Sequence, residues 1–288
     1  MNLETALARL AEPGTSVLAG GTDWYPALGD RAPPARVLDI NFIEGLDTLS
    51  HESSGTRIGA GVTWSALIAA SLPPAFDALK AAARELGSVQ IQNTATLVGN
   101  LCNASPAADG VPPLLALDAR IELASLTSSR DVTMRLVPLA DFIKGVRATV
   151  RRDDEIVTAI EVPPHALNTV SCFAKLGARR YLVISIAMLA VVIEADEGGA
   201  IVTARIAVGS CSPVARRLPV LERRLIGRRL DDKTLADCVT PDCVAVLSPI
   251  DDVRASARYR HEAVLELLRR VLSRGGADWA GPGASYGD

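Results

Sequence analysis

From Leu3 to Leu10 apolar residues recur at helical spacing, and a Pro13-Gly14 turn then leads into Ser16-Val17-Leu18-Ala19, which reads as a short strand. A second strand is expected over Arg36 to Ile40 and a third over Thr56 to Ala60. Thr63 stands where an N-cap would open a helix from Trp64 to Ala70, which Pro73-Pro74 ends. A further helix, about 75–86, stops at Gly87, a natural place for a left-handed residue. The stretch Thr94 to Asp109 is small and polar and follows neither period, so it predicts a long ordered loop. Strands follow at 120–126 and 132–138, then a short helix at 139–143 and a strand at 155–162 that Pro163-Pro164 closes. Beyond it lie strands at 170–175, 184–194 and 201–208, and then mainly helical sequence. In the last helix Val264, Leu267, Leu268, Val271 and Leu272 form one stripe. The change of pattern near 163–168 divides the chain into 1–165, itself split at about 53, and 168–274, with a Gly-rich tail at 275–288 expected to fray.

Composition narrows the picture to a folded, multi-lobed protein. The chain has 288 residues, 49% hydrophobic and 22% charged, enough to bury a core in two or three lobes. A net charge of -3 argues against a nucleic-acid partner, which calls for a clustered basic surface. No positive n-region with an apolar stretch marks a secretory signal at the start. The longest apolar run, Leu182 to Ile193, is broken by Ser185 and too short for a membrane span. Five cysteines without CxxC spacing point to reduced thiols and a cytoplasmic location. Three scattered histidines (His51, His165, His261) speak against a metal site in this chain.

Two Gly-rich segments carry the candidate chemistry. Leu18-Ala19-Gly20-Gly21-Thr22-Asp23-Trp24 and the run from Ala95 through Thr96, Val98, Gly99 and Asn100 to Asp109 can each present several backbone N–H groups to one anion, as a dinucleotide pyrophosphate requires. Neither is a Walker A or GxGxxG motif. Taken alone, Gly20-Gly21 reads better as a plain tight turn after a strand. Ser105 and Asp109 lie within one turn, where they would meet ribose or ribityl hydroxyls, or else cap a helix over 111–117. Cys102, inside the second segment, reads as a small packed residue.

The phrases AGGTD (Ala19 to Asp23), TLVGNLCNASPAAD (Thr96 to Asp109) and PIDDVRASARYR (Pro249 to Arg260), in this order and over nearly the whole chain, resemble the FAD subunits of the molybdenum hydroxylase family. The resemblance implies an α+β architecture: a two-subdomain FAD-binding unit of the vanillyl-alcohol oxidase type and a smaller α+β C-terminal domain of the carbon monoxide dehydrogenase flavoprotein type. It implies noncovalent FAD, with Leu18 to Trp24 and Ala95 to Asn100 on the pyrophosphate and adjoining parts. Asp109 would sit on the ribityl or flavin side, the region of Leu86 and Val157 at the adenine end, and Lys175 near the flavin, where a cation raises its potential. Without the resemblance Lys175 reads as a strand-end lysine in solvent. Ile184 would cover a ring face. The implied partners are a large molybdenum-cofactor subunit and a small subunit with two [2Fe-2S] clusters, in a dimer of heterotrimers.

The chain departs from the family where Val98 replaces the first of two paired glycines, and where Val183 and Ile184 stand in place of an acidic residue followed by a hydrophobic one. There is no cysteine-rich insertion for an extra cluster. No acid–base pair or nucleophilic triad is evident, which suits a subunit that only carries electrons. Two rivals are weighed beside it. A self-contained flavin oxidoreductase generally needs aromatic substrate walls, and only 4% of residues here are aromatic. A scaffold that has lost FAD is the other, against which Gly20, Gly21, Gly99, Asn100 and Asp109 speak.

Overall fold

The computed structural model describes residues 1–179 and 182–274; the expected frayed tail at 275–288 lies outside the described residues. In chain order the elements are α1 (Leu3–Leu10), β1 (Thr15–Leu18), α2 (Trp24–Leu28), β2 (Arg36–Asp39), β3 (Leu49–Glu52), β4 (Gly55–Gly59), α3 (Trp64–Ala69), α4 (Asp77–Glu85), α5 (Val89–Thr94) and α6 (Leu97–Asn103). There follow α7 (Val111–Ala116), β5 (Arg120–Leu126), β6 (Val132–Pro138), α8 (Leu139–Phe142), β7 (Ile143–Gly145), β8 (Ala148–Thr149), β9 (Ile156–Val162), β10 (Val170–Leu176), β11 (Ala187–Ala195), β12 (Ile201–Gly209), β13 (Arg216–Arg217), α9 (Pro219–Leu225) and α10 (Ala257–Ser273).

These elements form two compact units that interleave along the chain. The first comprises Met1–Ala70, Ser88–Ala104 and Asp118–Pro164; the second comprises Ser71–Gly87, Ser105–Leu117 and the chain from His165 onward.

The first unit contains a parallel pair, β1 with β2, and a five-stranded antiparallel sheet in the order β3-β4-β9-β5-β6. The central strand β9 is buried over Ile156 to Ile160, because it has a neighbour on each side and a covered face on each surface. Ile58, Ile121, Leu123 and Ile160 fill its core. Asn2 caps α1 by accepting from the Thr5 N–H at 2.9 Å, and Thr63 caps α3 in the same way from Ala66 at 3.2 Å.

The second unit is built on the antiparallel sheet β10-β11-β12-β13. β11 is buried from Ala187 to Ile193 on both faces, which explains why the longest apolar run of the sequence is a strand. One face carries Leu189, Val191, Ile206 and Val208 against α9 and the α10 stripe. The other lies against α4 and α7: a Cβ on Gly209 would stand 2.9 Å from the Pro112 ring of α7.

The long loop expected over 94–109 is largely replaced by helix, and only 104–110 is left as turns. Its first part ends α5 and forms α6, with Thr96 as N-cap and Leu97, Val98 and Leu101 buried on one side. Burial and a cap specify this helix where its own seven residues give too short a period to read. β11 begins at Ala187 and not at Ile184, since Leu182 has a left-handed φ of 52° and residues 183–185 stand outside the ladder. Among the described residues no helix is long and apolar enough to cross a membrane, and no His/Cys/Asp/Glu group is arranged to hold a metal ion.

Candidate functional site

In the first unit the chain leaves β1 at Leu18 and turns through Ala19 to Asp23 into α2. Gly21 has φ +72°, a conformation that a Cβ disfavours, and a side chain there would meet the Tyr25 ring at 2.8 Å. Gly20 is needed for a different reason. A Cβ at that position would lie 1.9 Å from the Thr94 carbonyl oxygen, so the glycine lets the first Gly-rich loop lie directly against the start of the second. Trp24 closes the turn by donating from Nε1 to Ser16 Oγ at 2.8 Å, and its ring meets Tyr25 edge-on at 4.9 Å. The backbone N–H groups of Gly20, Gly21, Thr22 and Asp23 donate to no acceptor among the described residues. A row of unsatisfied donors at a partly exposed surface is what a phosphate group requires.

The second loop is braced from within. Trp64 N–H donates to the Ala95 carbonyl at 3.2 Å and Leu97 N–H to the Val62 carbonyl at 3.2 Å. Thr96 turns its hydroxyl inward as the cap of α6, accepting from Gly99 N–H at 2.9 Å. Val98, which the resemblance sets in place of a glycine, is 3% exposed and belongs to the core, so its side chain does not obstruct the outer surface. A Cβ on Gly99 would lie 2.8 Å from the Thr96 hydroxyl, so a side chain there would disturb the cap of α6. The partnerless N–H row of the first loop, which Gly20 lets lie against Thr94, fits an anionic group brought close to main chain. Asn100 is half-buried beside Gly99. Cys102, expected to be packed, is exposed, because α6 buries Leu97, Val98 and Leu101 and turns the next position outward.

The second unit holds a buried polar cluster. Lys175, in β10, donates from Nζ to Asp109 Oδ2 at 3.0 Å, and Ser185 Oγ donates to Asp109 Oδ1 at 3.1 Å. The Lys175 side chain is only 4% exposed, so it is not the solvent-held strand end that its position in the sequence suggests. Burial pushes the Asp109 carboxyl above the usual carboxylate range, against the pull of Lys175 and the hydrogen bonds from Lys175 and Ser185. Asp109 does not cap α7: the N-cap is Gly110 without a side-chain bond, while Ser105 accepts from Ala107 N–H at 3.3 Å.

Other expected positions fall apart from these clusters. Val157 is 5% exposed and packs inside β9 of the first unit, and Leu86 is half-buried at the end of α4 in the second. Ile184 is 63% exposed, one residue before Ser185. Sequence reasoning singled out PIDDVRASARYR only as a resemblance. In the structure Asp252 receives both Arg254 and Arg260, and Arg254 Nη1 also donates to the Ser185 carbonyl at 3.1 Å. It also passed over the role of Ser185. The signal was there, as the one hydroxyl interrupting a long apolar run.

A family model described as the FAD binding domain in molybdopterin dehydrogenase matches residues 1–165, and one described as the CO dehydrogenase flavoprotein C-terminal domain matches residues 173–274. Among curated relatives, the glyceraldehyde dehydrogenase medium chain of Sulfolobus acidocaldarius is 31% identical over 94% of both chains. The xanthine dehydrogenase FAD-binding subunit of Escherichia coli O157:H7 is 30% identical over 94% of this chain and 92% of that one. Among solved structures, a chain of reconstituted CO dehydrogenase from Oligotropha carboxidovorans superimposes with a TM-score of 0.86 at 26% identity, covering 96% of this chain and 95% of the other.

Proposed function

Because the chain belongs to the family of FAD-binding medium subunits of the molybdenum hydroxylases, we propose that it is the electron-transfer subunit of a three-component, molybdenum-dependent oxidoreductase. In this reading its partners are a large subunit with the molybdenum cofactor and a small subunit with two [2Fe-2S] clusters, assembled as a dimer of heterotrimers in the cytoplasm. What carries the reading is the coincidence of family matches over 1–165 and 173–274 with the partnerless N–H row of Gly20 to Asp23 and the close approach that Gly20 allows.

FAD, when bound, would supply the step between single electrons and an electron pair, and the protein binds and tunes it. Backbone N–H groups of residues 18–24 and 95–100 would hold the pyrophosphate, with Gly21 setting the left-handed turn that aims them. Ser105, Asp109 and Lys175 are assigned to the ribityl and flavin end, Leu86 and Val157 to the adenine end, and Ile184 to a ring face. A fixed Lys175 cation would favour the reduced, anionic flavin. The division into an FAD-binding domain over 1–165 and a C-terminal domain over 168–274 is kept in this reading, with the ribityl and flavin end drawing on both.

The test is to isolate the chain from its native host with its partners attached, then record its visible spectrum and the masses that travel with it. Noncovalent FAD with a large and a small partner is the expected result. A yellow chain that stays alone, turning over its own substrate, points to an independent flavoenzyme, and a colourless one to a scaffold. Gly21→Val should abolish FAD retention, since valine suits neither φ +72° nor the space beside Tyr25. Normal flavin content in that variant would remove the loop from the site.

A further inference from the structure

The second unit contains one continuous hydrogen-bonded chain that runs from the start of α10 to Lys175. Arg260 is fully buried, donating from Nη1 to the Ser210 carbonyl at 3.0 Å and to the Ile186 carbonyl, and from Nη2 to Asp252 Oδ1 at 2.8 Å. Asp252 is also gripped by Arg254, through its own N–H to Oδ1 at 2.8 Å and through Nε and Nη2 to Oδ2 at 3.0 and 2.5 Å. The remaining Arg254 nitrogen, Nη1, donates to the carbonyl of Ser185 at 3.1 Å. Two guanidinium groups anchored on one carboxylate therefore hold two successive carbonyls, those of Ser185 and Ile186. Only arginine's planar fork spans both partners at once.

Residues 183–185 stand outside the β10–β11 ladder and Ile186 reaches it only through its N–H to the Leu176 carbonyl at 2.8 Å, so the clamp takes up the Ser185 and Ile186 carbonyls that strand pairing leaves over. Its consequence is felt at the side chain of Ser185. With the backbone fixed, Oγ is held 3.1 Å from Asp109 Oδ1, in preference to the weaker Met188 Sδ at 3.6 Å, and Asp109 Oδ2 holds Lys175 Nζ. We propose that Ser185 and Asp252 are positioning residues for Lys175: the Asp252–Arg254–Arg260 clamp sets Ser185, Ser185 fixes one oxygen of Asp109, and Asp109 presents the Lys175 ammonium in a single orientation. The inference rests on the reading of Lys175 as the residue that meets the flavin, and it gives the 251–260 motif a task that does not involve touching the cofactor.

The chain has only four lysines, Lys80, Lys144, Lys175 and Lys233, so each is resolved by mass spectrometry after reaction with an amine-acylating reagent. In the full chain, with its flavin and again after its release, Lys175 should react slowly beside the exposed Lys144 and Lys233. Ser185→Ala, which removes one hydroxyl and little volume, should raise the Lys175 rate by about tenfold and leave the other lysines unchanged, since it removes a hydrogen bond to an ionised group. Asp252→Asn should do the same. If Asp252→Asn fails to fold, Arg254→Lys replaces it, keeping a charge for Asp252 but unable to reach the Ser185 carbonyl as well. In chain that retains FAD, each variant should also lower the flavin midpoint potential, a readout that loss of fold stability alone does not move. An unchanged Lys175 rate in Ser185→Ala, or in a folded clamp variant, overturns the proposal. A wild-type chain that never binds FAD would instead sink the functional reading, and the lysine rates would still decide the relay.

Discussion

At the scale of single residues, what the sequence could name and what it could not are separated by pairing. Asp109, Lys175 and Ser185 are 66 and 76 positions from one another along the chain at their two contacts, and nothing local announces that they meet. The same holds for Glu155, which no motif marks. Its side chain is 1% exposed, yet it accepts from Arg135 Nε and Nη2 at 2.6 and 2.8 Å and from the Arg152 N–H at 2.7 Å. Burial alone would raise its pKa, but the Arg135 hydrogen bonds, the Arg152 N–H and the charges of both arginines outweigh it and hold the carboxyl below its ordinary value of 4.5. A folded-state pKa below the unfolded one means a contribution that is complete above about pH 4.5 and lost as pH falls through the depressed folded value. Glu155→Gln should therefore cost about 1–3 kcal/mol at pH 7, less than for a fully enclosed pair because Arg135 is partly exposed, and should cost less in acid. Urea unfolding at pH 7 and pH 3.5 checks this. An equal loss at both pH values would show that the carboxylate charge is not what the arginines stabilise.

At the scale of elements, legibility follows length and burial. The last helix could be read because seventeen residues give its apolar stripe several turns in which to repeat. α6 could not, since Gly99 and Asn100 are poor helix formers and seven residues hold under two turns. Its existence depends on the Thr96 cap and on contacts the sequence does not display. The pair β7–β8 and the strand β3 were missed for a similar reason: they are two to four residues long and only partly buried. Within α10 the geometry makes a sharp prediction from one chemical change. Leu268 is fully buried in the core of the second unit, whereas Leu265 is only partly buried at its margin. Leu268→Ala should destabilise the protein by about 2–5 kcal/mol, and Leu265→Ala by under about 1.5 kcal/mol, because only the first leaves a closed cavity. Denaturant unfolding of the two variants decides it, and similar losses would mean that α10 does not pack as described.

At the scale of the whole molecule, the pattern break near Pro163 is visible in the sequence, but the interleaving of the units is not. Two excursions, Ser71–Gly87 and Ser105–Leu117, leave the first unit's stretch of sequence to pack with strands that are translated later. Their apolar residues, among them Ala78, Leu79, Ala82, Leu114 and Leu115, are buried in the second unit. Local propensity gives helices α4 and α7 but cannot say which sheet covers them, because that is decided by contacts roughly a hundred residues away, as between Ser171 Oγ and the Ala78 N–H at 2.9 Å. A single cut after residue 164 is consequently expected to harm both products. Fragment 1–164 would expose the apolar faces of α4 and α7, and fragment 165–274 would lose the cover from one face of β10 to β12. Each fragment made alone should therefore be aggregation-prone or bind a dye such as ANS, while co-expression of the two should restore a soluble pair that unfolds in one transition. Two fragments that are each monomeric and cooperatively folded would show that the excursions are appendages of the first unit and that the linear boundary is also the folding boundary.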